Sequence, residues 1–140
     1  VGGNASDWLW PTFGSFIFWG LWGFIPKITT KYIDPKSAIF YEALGGLLLA
    51  TIVLFYLNFQ LDIHPKGIFL AICTGFLGFL GALCFLMAVA RGPVLLVAPL
   101  SALYPIVTIC LATSFLNETL TLKQGVGIGL ALLSVLLVVV

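Results

Sequence analysis

The stretch "VAPLSALYPIVT", Val97–Thr108, decides how this chain must be read. Two prolines, Pro99 and Pro105, sit inside a run that is otherwise almost wholly apolar. Each proline removes a backbone donor and strains a helical turn. In water the segment would be two irregular pieces. In a bilayer it would be one interrupted helix, because only helices and closed barrels satisfy their backbone groups there. The fold therefore turns on which solvent surrounds the chain.

Composition answers that question. The chain has 140 residues, of which 61% are hydrophobic and 8% charged, and its mean hydropathy is +1.20. A soluble domain carries about a quarter charged residues. With so few, polar surface cannot coat a globule in water, and the chain reads as an all-α integral membrane protein. A net charge of +1 supplies no basic field for nucleic acid. Cys73, Cys84 and Cys110 lie in apolar runs with no disulfide or zinc spacing, and read as small membrane residues. His64, beside Pro65 in a polar connection, reads as a loop histidine. No Ser/His/Asp or Cys/His constellation is available, so an enzyme is not expected, nor a cofactor or metal. The opening "VGGNASDW" lacks the basic region of a signal peptide.

A hydrocarbon core of about 30 Å needs about 20 apolar helical residues. Five segments meet that length: 9–29, 37–57, 67–90, 94–116 and 122–140. Asp34-Pro35 supplies an N-cap followed by proline at the first helical position, where its missing N–H does no harm. Pro65 can open the third helix in the same way, and Gly92-Pro93 separates the third from the fourth. "TLKQ", Thr121–Gln124, fits a capping box at the start of the fifth. Short linkers make sequence neighbours antiparallel neighbours, which gives a bundle of five transmembrane helices. Lys27, Lys31, Lys36 and Arg91 lie on one side, and Lys66 and Lys123 on the other. The bias puts the first side in the cytoplasm, by a margin narrow enough to permit insertion both ways.

Small residues mark the packing faces. Ala71, Gly75, Gly78 and Ala82 share one stripe of the third helix, where a neighbouring backbone can approach closely. On the fifth, Gly125 and Gly129 form a small-xxx-small pair, with Gly127, Ala131 and Ser134 on another stripe. The third-helix stripe is expected to pack inside the chain. For the fifth, internal packing and self-association stand level.

The prolines also locate a candidate site. Pro99 denies the Leu95 carbonyl its helical donor, and Pro105 does the same to Ser101, near the middle of the span. Ser101, Tyr104 and Thr108, spaced by three and four, would line a substrate cavity beside these breaks, as interrupted helices do in transporters. The alternative is a plain kink whose hydroxyls bond back to their own helix. On the first helix Ser15, Trp19, Trp22 and Pro26 recur on one face. Their tryptophans could hold an amphipathic or cationic solute by stacking and cation–π attraction, or could be bulky filler. Glu42, about two turns into the second helix, is a candidate acid for coupling proton and solute movement. A pair with Lys27, Lys31 or Lys36 is its structural alternative.

The stretch from Arg91 to Val139 resembles the second half of an EamA domain, the repeat unit of the drug/metabolite transporter superfamily. Pro105, Glu118, Gln124 and Gly129 lie where that pattern expects them, although Glu118 reads mainly as positioning a turn. "WGLWGFIPK", Trp19–Lys27, resembles the family's tryptophan-glycine segment. Most members carry two repeats in ten helices, whereas this chain has one. Many also carry an arginine near the start of the second helix, where this chain has Glu42 in "IFYEALGG".

The resemblance implies one inverted-repeat unit of a ten-helix transporter architecture. Residues 1–140 are then a single membrane domain that moves a small organic solute by alternating access as a homodimer, antiparallel if the chain inserts both ways. The expected location is a bacterial inner membrane. The rival expectation is a non-transporting accessory or structural subunit of a larger membrane complex.

Overall fold

The computed structural model describes residues 6–116 and 119–139. All regular structure among them is helical: α1 Ser6–Thr29, α2 Pro35–Tyr56, α3 Pro65–Arg91, α4 Val94–Ser101, α5 Tyr104–Phe115 and α6 Leu122–Val139. Glu118 lies outside the described residues. Among the described residues, three segments are long and apolar enough to cross a membrane: α2, α3, and the stretch Val94–Phe115 that α4 and α5 make together. The apolar part of α6, Leu122–Leu137, is shorter. In α1, glycine, proline, serine and threonine dilute the hydropathy of an otherwise aromatic helix.

The local chemistry sets the ends. Asp34, extended at φ −64° and ψ 144°, caps α2 by accepting the Lys36 N–H at 2.9 Å, so α2 begins at Pro35, two residues ahead of the expected Ser37. At the start of α3, His64 Nδ1 accepts the Gly67 N–H at 3.3 Å, which gives the loop histidine a capping role. Thr121 and Gln124 form the expected box. The Thr121 N–H donates to Gln124 Oε1 at 2.9 Å, and the Gln124 N–H reaches Thr121 Oγ1 at 3.4 Å.

The end of α2 uses a device that the sequence reading missed. Phe59 N–H bonds the Leu54 carbonyl and Asn58 N–H bonds that of Phe55, with Asn58 left-handed at φ 49°. This is a Schellman closure, with asparagine in the place glycine usually takes. Phe59 is itself left-handed at φ 61°, a costly geometry for a bulky residue. Its ring packs edge-on against Phe55, centroids 5.2 Å apart.

The chain divides into two compact units, Val1–Arg91 and Gly92–Val140. In the first, α1 and α2 both pack on α3. Among its described residues the buried ones are Ala38, Ala82, Phe85, Leu86 and Val89, together with Pro26. They fall at the end of α1, the start of α2 and the end of α3, so the core occupies one half of the unit. At its far margin Phe79 lies over Gly46, where an added Cβ would come within 3.0 Å of the ring. In the second unit α4 packs on α6, and no described side chain is buried.

The glycine stripe of α3 departs from expectation. A Cβ added at Gly75 or Gly78 would meet nothing within 4 Å, and the same holds for Gly125 and Gly129. Internal packing on that stripe is made by Ala82 alone, because the core ends before α3 reaches its two glycines.

Candidate functional site

The first unit brings together two residues that the sequence singled out by separate arguments. The Trp22 indole on α1 lies beside the Glu42 carboxyl on α2, which is placed to accept from its N–H. Glu42 is half-buried, about 10 Å along α2 from Pro35 at 1.5 Å per residue. The Trp22 ring also packs on Phe85 of α3, centroids 5.2 Å apart and planes tilted by 33°. One tryptophan thus touches both neighbouring helices, by its N–H on one side and its face on the other. An indole can only donate, which suits a carboxylate that can only accept. Pro26, buried one turn further on, denies the Trp22 carbonyl its helical donor.

Lys27 also acts differently from the pairing weighed for Glu42. Its Nζ donates to the Val89 carbonyl at 2.7 Å. The reason lies in Gly92-Pro93. The carbonyl of Val89 would ordinarily receive the N–H of residue 93, and proline has none. Lys27 fills that orphan acceptor at a position where Val89 is fully buried, and its charge faces the negative end of the α3 dipole. Proline four residues beyond a buried helix-end residue was the signal that would have found this bond. Lys31 and Lys36 are exposed.

The other α1 candidates are less gathered. Ser15 Oγ donates to the Pro11 carbonyl at 3.1 Å, and Trp19 is exposed.

In the second unit the interruption is real and mild. Ala102 and Leu103 separate α4 from α5, yet Ala102 at ψ 0° and Leu103 at ψ −7° both stay right-handed. The Leu103 N–H bonds the Leu100 carbonyl and the Ile106 N–H bonds that of Leu103, a tightened pitch of three residues per bond. The two prolines therefore overwind the chain instead of unravelling it. Ser101 Oγ donates to the Ala98 carbonyl at 2.9 Å, the back-bonding alternative for that hydroxyl. Ser101, Tyr104 and Thr108 are all exposed. A small concavity of about 130 Å³ in this unit is lined by other residues, among them Thr113, Thr119 and Gln124.

The arrangement offers an acid within a helix long and apolar enough to cross a membrane, beside an aromatic donor from the next helix. It can exchange a proton, and it can present a ring and a negative charge to an organic cation.

Comparison with known proteins gives a consistent picture. The model of the EamA-like transporter family matches residues 8–140. An uncharacterized protein of Methanocaldococcus jannaschii is 32% identical over 121 residues, which are 86% of this chain and 88% of the relative. No solved structure gives a significant match.

Proposed function

Since the chain belongs to the EamA-like transporter family, we propose that it is a secondary transporter for a small organic solute, with Glu42 as its coupling acid. The observation that carries this reading is Glu42 itself, an acid within the apolar helix α2 with the Trp22 indole beside it. An intramembrane carboxylate is expensive to keep and commonly marks a proton or substrate path. Its indole partner adds a flat face that suits an amphipathic or cationic solute. Trp19 and Ser15 extend that face along α1. Ser101, Tyr104 and Thr108 supply a second polar face beside Pro99 and Pro105.

The remaining architecture follows from the same reading. Five crossings are made by α1, α2, α3, the α4–α5 pair and α6; α1 has the length, about 36 Å at 1.5 Å per residue. One such unit encloses too little to wall off a solute, so two chains pair as inverted copies and work by alternating access. The Methanocaldococcus jannaschii relative, matched over 88% of its own length, is itself of single-repeat size. The rival reading, an accessory subunit, draws on the same open glycine faces and differs in predicting no transport by the isolated protein.

The test is uptake into proteoliposomes under an imposed pH gradient, with a panel of aromatic and cationic solutes. Wild type should accumulate some of them in a gradient-dependent way. Glu42→Gln should abolish that dependence while leaving assembly intact. Trp22→Phe, which keeps the ring and loses the N–H, should alter the pH profile with less effect on solute affinity. An unchanged pH profile in Glu42→Gln would make the carboxyl structural.

A further inference from the structure

We propose that the concavity between the start of α2 and the end of α3 holds the phosphate of an anionic phospholipid. It measures about 330 Å³ and is lined by Asp34, Pro35, Lys36, Met87, Ala90 and Arg91. That volume is at the lower end of ligand pockets. Two of its walls are cations with exposed side chains, Lys36 and Arg91. Arginine can meet a phosphate with two parallel N–H bonds, and lysine adds a point charge.

The one acid in the lining offsets one of these charges and leaves the recess net positive. The Asp34 carboxylate takes the Lys36 amide at 2.9 Å and is committed to capping α2, whose positive dipole end faces the same space. Lys27 and Lys31 belong to the same end of the unit, which therefore carries four cations of the chain's six. Lys27 also quenches the carbonyl end of α3 through Val89, removing a negative edge that would repel an anion.

What selects a lipid over a free anion is the surface beneath the cations. Met87, one turn inward from Arg91, is 37% exposed, and Leu80 on the same face is 47% exposed. Cys84, between them, is exposed as well. Spacings of four, three and four place Arg91, Met87, Cys84 and Leu80 on one stripe of α3. A charged recess at the membrane boundary thus continues inward as an apolar track. That is the outline of a phospholipid, with its headgroup anion above and its acyl chain below. Inorganic phosphate shares the headgroup chemistry and has nothing to place on the track.

The experiment is thermal unfolding of the purified protein in neutral detergent, titrated with phosphatidylglycerol, phosphatidylcholine or inorganic phosphate. Phosphatidylglycerol should raise the unfolding midpoint saturably, and the other two should not. Lys36→Gln with Arg91→Gln should weaken that response about thirtyfold, the loss expected for two cations near a membrane surface. Lys66→Gln, at the opposite end of α3 from Arg91, should leave it intact. Equal affinity in the Lys36/Arg91 variant and wild type would overturn the proposal. So would an equal response to phosphatidylcholine, and an equal response to inorganic phosphate would assign the recess to a free anion instead. Should the double variant fail to fold, native mass spectrometry of wild type decides. One retained phosphatidylglycerol per chain supports the site, and none overturns it.

Discussion

At the scale of single residues, the bond from Lys27 to the Val89 carbonyl gives the sharpest stability test. The carbonyl is buried, lacks a helical donor because residue 93 is proline, and is met by a charged group at 2.7 Å. Bonds to charged groups contribute roughly 1.5–3 kcal/mol. Lys27→Met keeps the length of the side chain and removes the donor. It should destabilise the protein by about 2 kcal/mol, read as a lower unfolding midpoint in detergent, while Lys27→Arg should recover most of the loss. The sequence alone assigned Lys27 to orientation bias or to Glu42, since charge counting ignores which backbone acceptors prolines leave empty. Glu42 itself was legible, because an acid in an apolar helix stands out in any reading. Its partner was not. Trp22 was placed on a face with Trp19 by periodicity, and periodicity does not say which of two indoles reaches the next helix.

Among the elements, the starts of helices were the most legible part of the chain. Asp34-Pro35 and Thr121–Gln124 each encode a cap in adjacent residues, and both form as spaced. The end of α2 was obscure because Asn58 takes a left-handed role usually signalled by glycine. The α4–α5 junction was half legible. Two prolines announced an interruption, but not that it would be closed by tightened bonds at Leu103 and Ile106. Pro105→Ala tests what the junction is for. It returns a donor to the Ser101 carbonyl, and because Pro105 stands in the first turn of α5, where proline is tolerated, the gain is modest, about 1 kcal/mol. The variant should unfold at a higher temperature. If the junction serves transport, uptake in proteoliposomes should fall as stability rises. Stability and uptake rising together would make the break a tolerated kink.

For the molecule as a whole, composition settled the membrane class at once, whereas the extent of internal packing could not be read from it. A small-residue stripe marks a face that can be approached, not the chain that approaches it, and Gly75, Gly78, Gly125 and Gly129 all have open space where a Cβ would stand. Association in lipid rests on such close backbone contact. Gly125→Leu with Gly129→Leu should therefore convert a homodimeric transporter into monomers and abolish uptake together, checked by cross-linking in liposomes. A wild-type chain that is monomeric and inactive alone, yet copurifies with unrelated membrane proteins, would favour the accessory subunit. The lopsided core of the first unit has a mechanical consequence. Pro26, Ala38 and the stretch from Ala82 to Val89 clamp three helices at one end, and Lys27 rivets α1 to α3 there. Beyond Gly46 and Phe79 the helices run on without that grip. Such a unit is a lever with its fulcrum at the basic end. From Phe79 back to Pro65, α3 alone supplies an arm of about 20 Å, and a tilt of a few degrees too small to disturb the clamp would sweep its tip by one or two ångströms.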